Sequence, residues 1–549
     1  MPKLLSACLA VAAIASTLSL SAHGNGTQAA PCLVTTDRGD VQGRDFATSC
    51  AFLGVPYAAP TGGANRWKPP QPRAPWAPAV VNATTASPVC AQVQQPSGTP
   101  TGVEDCLFMN IWTRDLTPDE PAPVLVWFHT GGFTNASANF AGTNGRRLAE
   151  ERGIVVVAPN YRVGSLGFLA HGGLATEDPA HPTSGNYGLL DQQAALRWVR
   201  DNVARFGGDP DNVTIGGTSA GGASVGLQLV SPASAGLFHR AIVQSAYPTT
   251  RWTTHAEHLA AGDSVAAALG CVDPATVLAC MRGKTQNEVL LARPAATQQV
   301  IAPAGRIFWE PVVDGLVIPD QPRDLIARGL WSSVPVMVGA NRDEGWGNFI
   351  TRSFPNGVSL EQYENWIADE FGANAAAVLA AYPAADHVSP EEALARLLGD
   401  GQFVCEARRL ARLISDQSIA VYLYSYEYVI PDLSPGHVNH GFETNIIFGN
   451  TYSPPIFPAH VLDAADQALH DAMAGYWTRF VATGVAGGVG DLKWRRYGER
   501  VGRRGARRDH MIFDAVVTRG DDLREEACDF WSQFDLRSML GAVPAGTQD

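Results

Sequence analysis

Charge is scarce in this 549-residue chain, and lysine scarcer still. Charged residues make up 17% of it, and only Lys3, Lys68, Lys284 and Lys493 are lysines, so arginine supplies 36 of the 40 basic residues. Acidic residues outnumber basic ones 53 to 40, a net charge of −13. No overall field therefore draws the protein to phosphate backbones or anionic membrane surfaces, and no nucleic-acid partner is expected. Internal repeats and long Pro/Gly/Ser linkers are absent. So are Cys-x-x-Cys pairs and His-Glu-x-x-His helices, and neither a metal nor a cofactor is expected. A hydrophobic content of 46% with 13 tryptophans excludes a disordered, collagen-like or coiled-coil chain. The arginine bias is of the kind high-GC bacterial coding produces, which points to a bacterial periplasmic or secreted source.

One long apolar run is present, Leu4 to Leu20, behind the positive start Met1-Pro2-Lys3 and ahead of small residues around Ser21, Ala22 and Gly24. That order reads as a secretory signal over residues 1–24, cleaved by about residue 30. The run is at or below the roughly 20 residues a spanning helix needs, so no membrane span is expected. Cys8 leaves with the leader. Eight cysteines remain: Cys32, Cys50, Cys90, Cys106, Cys271, Cys280, Cys405 and Cys528. An even count in an exported chain favours disulfides. Asn-x-Ser/Thr sites at Asn82, Asn135 and Asn212 matter only in a eukaryotic host.

At roughly 150 residues per domain the length suggests three or four domains, a rule that large α/β enzymes exceed. Short apolar runs, Val124 to Phe128, Ile154 to Ala158, Val213 to Gly217, Ala241 to Gln244, Val336 to Gly339 and Val421 to Tyr424, read as buried strands. Leu196, Val199, Val203 and Phe206 recur at helical spacing and stop at Gly207-Gly208. Strand-helix alternation of this kind predicts an α/β fold with a mostly parallel sheet covered on both faces. The arginine-rich run from Lys493 to Arg508 reads as a solvated surface segment.

The chemistry concentrates at one turn. Val213-Thr214-Ile215-Gly216-Gly217-Thr218-Ser219-Ala220-Gly221-Gly222 is a strand running into a G-x-S-x-G sequence and then a helical segment. A serine on so tight a turn needs strained backbone angles, and the residues two before and two after it must lack bulk. Alone the motif is common by chance. Upstream, Val126-Trp127-Phe128-His129-Thr130-Gly131-Gly132-Phe133 is a strand ending in a glycine turn, where hydrolases of this type place oxyanion donors; the N–H groups of Gly131, Gly132 and Ala220 are assigned that role.

With these residues in view, the chain resembles the type-B carboxylesterase and cholinesterase family. Its serine signature reads Phe206-Gly207-Gly208-Asp209-Pro210-Asp211-Asn212-Val213-Thr214-Ile215-Gly216-Gly217-Thr218-Ser219-Ala220-Gly221, and a second signature reads Glu104-Asp105-Cys106-Leu107-Phe108-Met109-Asn110-Ile111. Similar segments run from Phe52-Leu53-Gly54-Val55-Pro56-Tyr57 to Cys528-Asp529-Phe530-Trp531-Ser532-Gln533-Phe534. The resemblance implies one α/β-hydrolase domain over residues 31–540, with insertions covering the active site, and a small-molecule ester substrate. It also implies the acid in Asn341-Arg342-Asp343-Glu344-Gly345 and the base in Gly436-His437-Val438-Asn439-His440-Gly441-Phe442-Glu443, so that Ser219, Glu344 and His440 form the triad. Asp343 and His437 are neighbours that resemble the active pair, and their reading is surface or supporting; His437-x-x-His440 lacks a nearby third metal ligand. Disulfides Cys90–Cys106, Cys271–Cys280 and Cys405–Cys528 are implied as well. Elimination then leaves Cys32 with Cys50.

Three departures from the family pattern bear on substrate. The residue before the serine, usually glutamate, is Thr218. At an effective dielectric near 20, a like charge roughly 6 Å from a substrate carboxylate costs about 3 kcal/mol, so its removal admits an anionic ester. The loop between Cys90 and Cys106 holds no aromatic residue, which removes the ring that recognises a quaternary ammonium in cholinesterases. Ser245-Ala246-Tyr247-Pro248-Thr249-Thr250-Arg251-Trp252 matches the stretch lining the family's acyl pocket, and Arg251 beside Trp252 is a candidate to grip a carboxylate. The expectation is a secreted or periplasmic serine esterase favouring acyl groups that carry carboxylates, tricarballylate esters of the fumonisin type being one candidate. The alternatives are a generalist on neutral short-chain esters and a non-catalytic, cholinesterase-like adhesion domain.

Overall fold

The computed structural model describes residues 32–94, 97–292, 309–351, 354, 356–453, 458–489, 492–499 and 508–537. The expected leader, and residues 500–507 of the arginine-rich run, lie outside the described residues. The strands in chain order are β1 Leu33–Thr35, β2 Asp40–Asp45, β3 Cys50–Pro56, β4 Val80–Ala83, β5 Gln92–Gln94, β6 Thr99–Thr101, β7 Phe108–Thr113, β8 Ala122–Phe128, β9 Val155–Pro159, β10 Gly208–Thr218, β11 Arg240–Gln244, β12 Val336–Asn341, β13 Val421–Tyr426, β14 Gly488–Val489, β15 Leu492–Lys493, β16 Asp509–Phe513 and β17 Thr518–Asp521. Thirteen of them form one sheet, ordered β1-β2-β3-β7-β9-β8-β10-β11-β12-β13-β16-β17, with β4 beside β2. From β9 to β16 every neighbouring pair is parallel; β1, β2, β3 and β7 extend one edge antiparallel, and β17 closes the other.

The apolar runs are strands because both of their faces are buried. Val124, Val126 and Phe128 of β8 enter one core while Leu125 and Trp127 enter the other, and in β13 Val421 and Leu423 alternate with Tyr422, Tyr424 and Tyr426 in the same way. Helices Tyr187–Asn202, Ala220–Val230 and Cys405–Ser415 cover the first face, with Leu196, Leu227 and Leu410 among their core residues. Arg146–Arg152, Phe442–Phe448 and Ala464–Thr483 cover the second, with Leu148, Phe448 and Trp477. This is the covered, mostly parallel sheet expected of an α/β-hydrolase. The expected Gly207 stop is present too: it closes a 3-10 turn, Val203–Phe206, in the left-handed region at φ +80°.

Four disulfides, Cys32–Cys50, Cys90–Cys106, Cys271–Cys280 and Cys405–Cys528, join the pairs expected. Cys90–Cys106 encloses the antiparallel β5-β6 hairpin. Among the described residues no helix is long and apolar enough to cross a membrane. What places the site is the crossing after β9. The chain leaves β9 on one side of β8 and returns as β10 on the other, so the loops after β8 and β10 diverge from a crevice at the strands' carboxyl ends.

Candidate active site

Ser219 stands between β10 and helix Ala220–Val230 with φ 59° and ψ −124°, a backbone that side chains rarely adopt. Its N–H donates to the Gln244 carbonyl at 3.0 Å, and its own carbonyl accepts from Ala223 N–H at 2.8 Å. The two flanking glycines are there for closeness. A Cβ on Gly217 would lie 2.4 Å from the Gly221 carbonyl carbon, and one on Gly221 would lie 2.1 Å from the Phe128 oxygen. The elbow is thus seated directly on the end of β8.

The turn after β8 is left-handed at Gly131, φ 110°, and Gly132, φ 59°. A Cβ on Gly131 would meet the Asn135 oxygen at 2.1 Å. Among the described residues the N–H groups of Gly131, Gly132 and Ala220 donate to no other group, which leaves them for a ligand. The turn is tied down from behind. His129 Nδ1 donates to the Thr130 carbonyl at 2.8 Å, and the His129 ring lies on Tyr161 with centroids 4.0 Å apart. The Tyr161 hydroxyl donates to the His129 carbonyl at 2.7 Å. Burial pushes the His129 imidazole down to about 4, so it stays neutral.

Glu344, fully buried after β12, accepts the Asn341 N–H at 2.6 Å through Oε1 and faces His440 Nδ1 at 2.5 Å through Oε2. That contact fixes the His440 tautomer and leaves Nε2 as the basic atom. Nε2 is buried and makes no hydrogen bond among the described residues; such contacts often close only when substrate is bound. Phe349 and Phe403 pack on the imidazole with centroids 5.0 and 4.8 Å away. Asp343 accepts from Val438 N–H at 3.0 Å and pairs with Arg342 and Arg396. His437 stacks on Trp346. Both side chains therefore join the loops that carry Glu344 and His440.

One residue quoted in the histidine motif but given no role is Glu443. Fully buried, it accepts from Gln244 Nε2 and Ser245 Oγ, both at 3.1 Å, and from Asn341 Nδ2 at 2.7 Å. It gathers the ends of β11 and β12 onto the helix that follows His440. Burial, and then the charge of Glu344, push its carboxyl up. The sequence shows an acid three residues after His440, but only the fold shows that it points inward. Next to it, the Thr444 hydroxyl pairs with that of Thr218 at 2.8 Å.

Arg251, expected to grip a substrate carboxylate, already has a carboxylate partner within the protein. Its guanidinium is engaged by Glu257 at 3.1 Å, and Glu257 also pairs with Arg537 at 2.8 Å. Partial burial pushes the Glu257 carboxyl up, but hydrogen bonds from Thr254 and Arg251 and the charge of Arg537 hold it at about 2. Arg251 and Arg537 thus share the single carboxylate of Glu257. The neighbour of Arg251, Trp252, is buried instead and packs on Tyr247 and Phe133, centroids 5.8 and 6.2 Å away. Adjacency in sequence did not carry both side chains to the same side. Elsewhere, Glu151, His470 and Asp471 bring three potential ligand atoms within 4.8 Å of one another, but Arg147 and Arg152 already hold the two carboxylates.

The sequence profile of the carboxylesterase family matches residues 30–531. The chain belongs to that family. It is 33% identical to a fumonisin B1 esterase of Sphingopyxis macrogoltabida, over 89% of this chain and 87% of the relative. It is 30% identical to carboxylesterase 1C of Mus musculus, over 92% and 93%, and 30% identical to liver carboxylesterase 1F of Rattus norvegicus, over 96% and 98%. This carboxylesterase is accordingly a serine hydrolase of carboxylic esters, acting on a small-molecule substrate.

Proposed function

We propose that Ser219 is the nucleophile, His440 the base and Glu344 the group that orients it. Carrying this reading is the 2.5 Å contact between Glu344 and His440 Nδ1, which leaves a buried, basic Nε2 on a loop tied to the Ser219 turn through Glu443 and Gln244. His440 takes the Ser219 proton as the hydroxyl attacks the ester carbonyl, and the N–H groups of Gly131, Gly132 and Ala220 receive the oxyanion. The imidazolium protonates the departing alcohol. Water, deprotonated by the same imidazole, then releases the acid from the acyl-serine. We place the working domain at residues 31–540, exported after loss of the leader at residues 1–24; four disulfides fit an oxidising compartment.

The preferred acyl group, in this reading, carries carboxylates. Thr218 in place of glutamate supports it, as does the likeness to a fumonisin B1 esterase, which makes tricarballylate esters of the fumonisin type the first substrates to try. The test is kcat/KM on two esters of one alcohol, with a neutral acyl chain or one ending in a carboxylate, for wild type and Ser219→Ala. Faster hydrolysis of the carboxylate ester supports the reading, with the alanine variant inactive on both. A preference for the neutral ester makes the protein a generalist, and hydrolysis of neither by wild type counts against both acyl readings.

A further inference from the structure

Two hydroxyl groups meet beside the nucleophile. Thr218 immediately precedes Ser219, Thr444 lies four residues after His440, and their Oγ1 atoms are 2.8 Å apart. Both residues are 4% exposed. A hydroxyl donates once, so the pair holds two protons and uses one of them internally. Among the described residues the second proton has no acceptor: neither Oγ1 makes another hydrogen bond. Buried donors are rarely left so, because an unmade bond there forfeits the desolvation cost of the group.

The carboxylates nearby do not supply the acceptor. Glu344 is occupied by Asn341 N–H and His440, and Glu443 by Gln244, Ser245 and Asn341. Neither carboxylate takes the second proton, and among the described residues the pair is left short of one acceptor. Arg251 pairs with Glu257 and, among the described residues, makes no hydrogen bond to either hydroxyl.

We infer that the Thr218–Thr444 hydroxyl pair is a specificity element, donating its second proton to an acceptor on the substrate, an ionised carboxylate being the group it suits best. This rests on the preceding assignment of Ser219 and deepens it by adding Thr444, which no sequence motif singles out. A neutral donor in this position attracts an anion that a glutamate would repel, and it offers nothing to a quaternary ammonium. Hydrogen bonds to charged groups typically alter affinity about tenfold to a hundredfold.

The experiment uses two matched ester sets, each with a neutral, a carboxylate-bearing and a trimethylammonium-bearing member. In one set the charge is in the acyl half, in the other in the alcohol half. The reading is the ratio of kcat/KM for carboxylate over neutral ester. Thr444→Val is expected to lower that ratio at least tenfold in one set, Thr444→Ser to restore most of it, and Thr218→Glu to lower it about a hundredfold while raising the ammonium ratio. Ratios in Thr444→Val and Thr218→Val equal to wild type, with unfolding temperatures unchanged, overturn the inference. If wild type prefers carboxylate esters and both valine variants keep that preference, only the hydroxyl pair is refuted. If wild type prefers neutral esters yet Thr444→Val falls a further tenfold against carboxylate, the acyl preference is refuted and the hydroxyl pair stands.

Discussion

The indole of Trp346 lies flat on the imidazole of His437, centroids 3.8 Å apart and planes 14° from parallel. One ring belongs to the loop that carries Glu344, the other to the loop that carries His440. Two polar ties run beside the stack, from Val438 N–H to Asp343 at 3.0 Å and from Asn341 Nδ2 to the Asn439 carbonyl at 2.7 Å. The separation of Glu344 from His440 is therefore set by a clasp several residues wide. Aromatic pairs contribute about 0.5 to 1.5 kcal/mol beyond the area they bury. A double-mutant cycle on Trp346→Ala and His437→Ala should return a coupling of about 1 kcal/mol in urea unfolding, and each single variant should lose kcat roughly tenfold with KM little changed. Additive effects would show that the rings touch without bracing.

Glu344→Gln tests the orienting carboxylate. The amide keeps the shape, but it presents an N–H or a carbonyl to Nδ1 and no charge, so the imidazole is free to take the wrong tautomer and its cation loses its partner. A fall in kcat of about four decades is expected from the corresponding change in other triads. Burial makes rescue by water unavailable, since Glu344 is fully enclosed. A loss under tenfold would remove Glu344 from the role proposed.

Much of this site is legible in the sequence alone. The serine elbow shows in sequence because its glycines answer a backbone constraint, Gly221 against the Phe128 oxygen at 2.1 Å, and such constraints leave a fixed local pattern. The six strands show because burial on both faces demands unbroken apolar runs. What was not legible depends on direction. Arg251 and Trp252 are neighbours whose side chains part company, and Glu443 and Thr444 act through partners about 200 residues away, Gln244 and Thr218. No local pattern records which way a side chain turns, or what a distant strand brings to meet it.

Gly131→Ala addresses the proposed oxyanion turn without touching the proposed triad. At φ 110° an alanine is strained, and its Cβ would meet the Asn135 oxygen at 2.1 Å, so the turn must shift and carry its N–H groups with it. Loss of one well-placed donor costs on the order of 3 kcal/mol in the transition state, about a hundredfold or more in kcat. Far-ultraviolet circular dichroism should remain that of the wild type. Full activity in a folded variant would show that the donors lie elsewhere.

Three histidines make the fold sensitive to acid. Burial pushes His129, His258 and His510 down to about 4, against roughly 6.5 in an unfolded chain. Between those values the unfolded chain binds more protons than the native one, so stability is whole above about pH 6.5 and falls as the pH drops toward 4. Buried acids act in the opposite sense: Asp191, Asp400 and Glu443 are all raised by burial. Glu257, held at about 2, begins to lose its contribution only near pH 4.5, at the foot of the histidine window. The histidine term is therefore isolated by difference. His258 is remote from the triad in sequence and its Nε2 has no partner among the described residues, so His258→Leu removes a titrating group without breaking a described hydrogen bond of that atom. Urea unfolding at pH 7.5 and pH 5 should show a smaller drop in stability for the variant than for wild type, by on the order of 2 kcal/mol. Equal drops would mean that His258 is protonated in the native state at pH 5, and that solvent reaches the imidazole.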